Sequence, residues 1–153
     1  MAFGQWREVP ARRGGTRQVG QWAIHVQAAW RFARKSAVFV GITDMHYYAD
    51  DGSNFDWGKD GESRFDRLAA QLNQEFKAEA EIVTDVKCDD VGGFTLFLKS
   101  GLTFDVFPCV AFNSPEFEFW RFFEPATEND HYVVETITGR TSVCPLKSSS
   151  TYR

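Results

Sequence analysis

The sequence predicts an α+β fold: a single domain in which an antiparallel, strongly twisted sheet of about five to seven strands packs against one main helix. Three observations predict it. Several apolar runs alternate with a period of two. One segment keeps an apolar stripe at helical spacing. No linker or internal repeat divides the 153 residues, a length suited to one domain with its own core. The domain is assigned to 1–146, with a flexible polar tail, "KSSSTYR", at 147–153.

Phe3 to Val9 reads as a short first strand, and 10–20 as a loop by its Pro and Gly content. "QWAIHVQAAWRF", Gln21 to Phe32, puts Trp22, Ile24, Val26, Ala28, Trp30 and Phe32 on one face, which is strand periodicity. "SAVFVGIT", Ser36 to Thr43, is the returning strand after a turn near Ala33–Lys35. The helix runs from Ser63 to about Lys77, with Phe65, Leu68, Ala69, Leu72 and Phe76 as its stripe. Ser63 and Asp66 fit a capping box, which satisfies backbone donors that the first turn leaves unpaired. Ala80–Cys88 is a strand of mixed pattern. In "FTLFLKSGLTFDVFP" the best hairpin turns at Lys99-Ser100-Gly101, where glycine takes positive φ without a Cβ clash. Phe117–Phe123 and Tyr132–Ile137 complete the strands. The expected core is Trp22, Ile24, Val26, Val38, Val40, Phe65, Leu68, Leu72, Phe94, Leu96, Phe104 and Val106. An open sheet and a partial barrel fit this pattern equally.

No apolar run approaches the roughly 18 residues that read as a membrane span. The first residues, "MAFGQWRE", lack the apolar region of a signal peptide. Cys88, Cys109 and Cys144 are odd in number and have no CxxC spacing, so neither a disulfide framework nor a zinc knuckle is indicated. A reducing cytoplasm is the expected location, with Cys88 and Cys109 as small near-core side chains.

The net charge of -4 is unevenly spread. Residues 1–35 hold seven basic groups and one acidic group, whereas 44–62 hold six acidic and one basic. An acidic chain is a poor unspecific ligand for a phosphate backbone, and "ARRGGTR" lacks stacking aromatics. Nucleic-acid and membrane partners are therefore not expected. A basic protein partner, or a homodimer through the Phe117–Phe123 strand, fits better.

The acidic stretch "DMHYYADDGSNFDWGKDGES", Asp44 to Ser63, is the main candidate for function. It is not an EF-hand. Starting at Asp51 puts Asp56 where glycine is needed, and starting at Asp56 puts Arg67 where the bidentate glutamate belongs. Asp44 and His46 share a strand face and form the alternative reading: a metal-dependent enzyme or small-ligand binder that recruits His25 or His131. Asp50 and Asp51 form an adjacent carboxylate pair, more typical of a solvated loop than of acid–base chemistry. No catalytic residue, metal or cofactor is assigned. Tyr47, Tyr48, Asp50, Asp51, Asp56 and Trp57 instead make an acidic surface with aromatic anchors, as protein interfaces do. Trp120, in the second acidic run "NSPEFEFWRFFEPATENDH", joins this set.

Three segments carry a resemblance: "GQWAIHVQAAWRF" at Gly20–Phe32, "GGFTLFLKSGLTFDVFP" at Gly92–Pro108 and "EFWRFFEP" at Glu118–Pro125. Together they resemble a loose pattern in small uncharacterised bacterial α+β proteins, some of which are similar to immunity partners encoded beside toxins. The pattern spans about half the chain, and Ala28-Ala29 and the Cys109–Pro115 loop depart from it. The resemblance implies a shared core and an immunity-like, non-catalytic interaction role; it transfers no catalytic residue.

Overall fold

The computed structural model describes residues 1–11, 13–58, 61–110, 117–127, 131–137 and 140–145. Its strands are β1 (Ala2–Pro10), β2 (Thr16–Val26), β3 (Ala29–Arg34), β4 (Ala37–Gly41), β5 (Val83–Cys88), β6 (Phe94–Leu98), β7 (Leu102–Phe107), β8 (Phe117–Phe123), β9 (Tyr132–Ile137) and β10 (Arg140–Pro145). A 3₁₀ helix spans Ile42–His46, and one α-helix, α1, spans Arg64–Ala78. The α+β class stands. The single sheet of five to seven strands does not: the described residues form two antiparallel five-stranded sheets, ordered β1-β2-β8-β9-β10 and β4-β3-β7-β6-β5. Each belongs to its own compact unit. The first comprises Met1–Ala28, Asp90–Gly92 and Pro108–Arg153, the second Ala29–Asp89 and Gly93–Phe107.

The main departure from the sequence pattern lies at Gln27-Ala28. The alternating run is not one strand. It ends as β2 at Val26, opposite Trp120, and resumes as β3 at Ala29, opposite Phe107. Between them, the Gln27 and Ala28 N–H groups both donate to the Phe119 carbonyl, at 2.9 and 3.0 Å. Buried donors must find acceptors, and a shared carbonyl lets the chain leave one ladder without orphaning them. Period-two alternation continues across such a break, so the pattern hides it.

In the first unit, Thr16–Gly20 is strand rather than loop, because β1 supplies partners from Trp6 to Pro10. Ile24, Phe119, Val133 and Val134 are buried. Trp22 stacks on Phe122 at 5.3 Å but stays 38% exposed, so it borders the core instead of filling it. The polar tail at 147–153 lies outside the described residues.

In the second unit, the predicted helix and hairpin are both present. Ser63 Oγ accepts the Asp66 N–H at 3.1 Å, and Asp66 returns a carboxylate to the Ser63 N–H at 3.3 Å. Phe65 meets Trp30 and Phe76 meets Phe32, with ring centroids 5.8 and 6.3 Å apart, which seats α1 on the sheet. Gly101 turns the hairpin at φ 82°. Phe94, Leu96, Leu98, Leu102, Phe104 and Val106 are all buried on its inner face.

Val38 was expected in the core and is 57% exposed. A bulge explains it: Phe32 pairs Val40, but Ala33 pairs Val38, so the extra residue turns Val38 to the face opposite Phe32. Cys88 and Cys109 are exposed rather than near-core; Cys88 ends an edge strand and Cys109 follows the last residue of β7 by two. Val26, Phe65 and Leu68 are half-buried.

Candidate functional site

The acidic stretch is a built loop in the second unit. After β4, the 3₁₀ helix is closed by Asp44, whose Oδ2 accepts the Gly41 N–H at 2.8 Å. The chain then pairs with itself. Tyr48 N–H donates to Ser53 O at 2.8 Å, Phe55 N–H to His46 O at 2.7 Å, and Ala49 N–H to Glu62 O at 2.9 Å. Arg64, at the start of α1, ties the loop to the helix. Its N–H donates to Tyr47 O at 2.8 Å, its guanidinium lies 5.0 Å from the Tyr47 ring centre, and Nη1 is 3.6 Å from Asp44 Oδ1. The Tyr48 ring packs so closely on Gly61 that a Cβ there would sit 2.7 Å from it.

Two carboxylates shape the tip. Asp51 Oδ1 accepts the Ser53 N–H at 2.8 Å, and Asp56 Oδ1 accepts the Gly58 N–H at 2.9 Å. These are Asx turns, which let a polar loop hold a fixed backbone without burial. The bond from Ser53 also holds the Asp51 carboxyl below its ordinary pKa. Above them runs a chain of rings: Tyr48 to Phe55 at 4.7 Å and Phe55 to Trp57 at 5.0 Å, the second edge-on. Trp57 ends this chain 71% exposed. Asp50, Asp51 and Asp56 are exposed, and Tyr47 and Tyr48 half-buried.

Trp120 belongs to the first unit. It is half-buried, its Nε1–H donates to Gly92 O at 2.7 Å, and it stacks on Tyr132 at 6.0 Å. The structure thus gathers six of the seven sequence-predicted surface residues into one loop, and places the seventh in a different sheet. The strand containing Trp120 lies between β2 and β9, paired with β2 over 120–123 and with β9 over 117–122.

Of the alternative set, Asp44 bonds to the 3₁₀ helix and lies beside Arg64, His46 belongs to the second unit, and His25 and His131 belong to the first. Among the described residues, no group of three or more His, Cys, Asp or Glu side chains is placed to hold a metal ion.

Sequence reasoning missed a polar network in the first unit. The β8 register shifts between Glu118 and Trp120, where they face Glu135 and Val134. In a regular strand, residues three apart face opposite ways; the bulge brings Glu118 and Arg121 together. Arg121 Nε donates to Glu118 Oε1 at 2.7 Å, and Nη2 bonds Oε2, a bidentate pair. Gln27 Nε2 donates to the same carboxylate at 3.1 Å, and Arg121 Nη1 lies 3.3 Å from His131 Nδ1. Burial raises the Glu118 pKa, but the hydrogen bonds and charge of Arg121, with Gln27 and His25, outweigh it and hold it below the usual value. An open groove of about 430 Å³ in the same unit is lined by Trp6, Arg17, His25 and Phe123 among others, and by none of the predicted surface residues.

No family model, curated protein or solved structure matches this chain. Among the described residues, no helix is long and apolar enough to cross a membrane.

Proposed function

We propose that this chain is a non-catalytic interaction protein of the cytoplasm, immunity-like in mode, that uses the 47–57 loop to mask a basic surface on a partner protein. One observation carries the reading: Trp57, 71% exposed, stands at the end of an ordered ring chain beside exposed Asp50, Asp51 and Asp56. An exposed tryptophan on a braced loop loses little conformational entropy when it enters a pocket, which is why such residues anchor interfaces. The surrounding carboxylates steer a cationic surface and penalise acidic competitors. Masking is steric and electrostatic and needs no nucleophile.

The test begins with a photo-crosslinking residue at exposed Asn54, introduced in the native host, to identify what touches the loop. The purified partner is then titrated with the wild-type chain, with Trp57→Ala, and with Asp50→Lys/Asp51→Lys/Asp56→Lys. Affinity is expected to fall by about tenfold or more for each variant, with an association rate that drops as salt rises. Unchanged affinity in both variants rules the reading out.

A further inference from the structure

The second unit has an edge strand whose free side is complementary to itself. β5 pairs β6 on one side and is the terminal strand of its sheet. Its residues are exposed from Thr84 to Cys88, and Val86 is 50% exposed. The direction of its backbone groups follows from the turn beyond it. Asp89 N–H donates to Gly93 O at 3.0 Å, so Asp89 faces β6. Antiparallel residues alternate in this respect. Lys87 therefore also faces β6, whereas Val86 and Cys88 turn their N–H and C=O groups to the free side. The Val86 N–H is indeed taken by a local substitute, Asp85 Oδ1, at 2.9 Å. An exposed edge of unpaired groups is a template for another strand.

The side chains say which strand. Val86 pairs Leu96, on the face that carries the buried core; Asp85 and Lys87 pair Phe97 and Thr95 on the other face. If a second β5 is laid antiparallel with the two-fold axis at Val86, Val86 meets Val86 of the second copy as a pair that exchanges both backbone bonds. Asp85 then meets Lys87 of the second copy, and Lys87 meets its Asp85. These flanking pairs do not exchange backbone bonds, and such pairs bring opposed side chains closest. The strand's charges are thus opposite at positions related by the axis, and its exposed apolar side chain lies on the axis. A shift of register by one residue loses both matches.

We propose that β5 is a homodimerisation edge, pairing with the β5 of a second copy about Val86 to join two five-stranded sheets into one. Asp85 acts as a placeholder. In the single chain its carboxylate occupies the Val86 N–H; on pairing it yields that donor to the Val86 carbonyl of the second copy and accepts the Lys87 ammonium instead. The interface is isologous, so one symmetric contact closes the assembly and does not propagate into a fibre.

The experiment is sedimentation velocity on the full chain across a concentration series, with four variants. The wild type is expected to shift with concentration from 17.4 kDa to twice that mass. Asp85→Lys and Lys87→Asp each place like charges opposite one another and are expected to weaken the dimer by tenfold or more. The double exchange Asp85→Lys/Lys87→Asp restores complementarity and is expected to restore the dimer, which a general surface effect would not do. Val86→Pro removes a donor that faces away from β6, so the monomer folds and the dimer is lost. A wild type that stays monomeric at several hundred micromolar overturns the proposal. So does a dimer insensitive to Val86→Pro, or single-charge losses that the double exchange fails to restore.

Discussion

The molecule has two regions rich in both carboxylates and aromatic rings, and they spend them differently. In the 47–57 loop, Asp51 and Asp56 bind backbone of the loop itself, and the ring chain ends at an exposed Trp57. In β8 and the turn after it, Glu118 pairs with Arg121 and Glu124 with Arg7, the latter at 2.5 Å. The rings there are drawn inward, with Phe119 4% exposed and the Trp120 indole bonded to Gly92. Similar composition therefore serves as a presented surface in one place and as structure in the other. What separates them is pairing: β8 is the central strand of a sheet, with neighbours on both sides, whereas the loop is held mainly by its own turns.

This contrast can be broken most severely at Phe119. Phe119→Ala is expected to cost about 3–5 kcal/mol, read from the urea midpoint, because that ring is buried. The next point to break is the loop's junction with α1. Ser63→Ala removes the acceptor for the Asp66 N–H and is expected to cost about 1–2 kcal/mol. Trp120→Phe keeps the ring and deletes the bond to Gly92, with an expected loss of about 1 kcal/mol.

Acid sharpens the comparison further. The folded pKa of Glu118 lies below its unfolded value, so its pairing stabilises the protein above the ordinary glutamate range and is lost as pH falls through the folded value. Glu118→Gln should remove that part of the pH dependence from urea midpoints measured from neutral pH downward; an unchanged profile would mean that the Arg121 pair does not act on stability. Trp57→Ala should have the smallest effect, within about 0.5 kcal/mol, since its ring is mostly in water. A larger loss would show that the exposed ring is a structural brace.

Much of this was readable in the chain. Ser63 and Asp66 announced the helix start because a capping box is local chemistry. The Lys99–Gly101 turn and its flanking alternation announced the hairpin for the same reason. The loop's aromatic and acidic character was equally plain. Arg64 as the loop's anchor was not, since its use depends on Tyr47 and Asp44 arriving beside it. Nor was the Glu118–Arg121 pair, because a bulge reverses the facing of residues and leaves no mark in composition.

The sequence by itself determined the local elements: which residues alternate, where α1 begins, where the hairpin turns, and that a polar acidic loop precedes the helix. Each rests on interactions between residues close in the chain, which any fold must respect. Tertiary structure decided how many sheets those strands make, that an unbroken alternation is divided at Gln27-Ala28, and which of two similar acidic segments is presented to solvent. Those outcomes depend on partners distant in sequence, Phe119 for the break, Arg7 for Glu124, and β9 for the bulge that brings Arg121 to Glu118, and alternation looks the same whichever partner a strand finds.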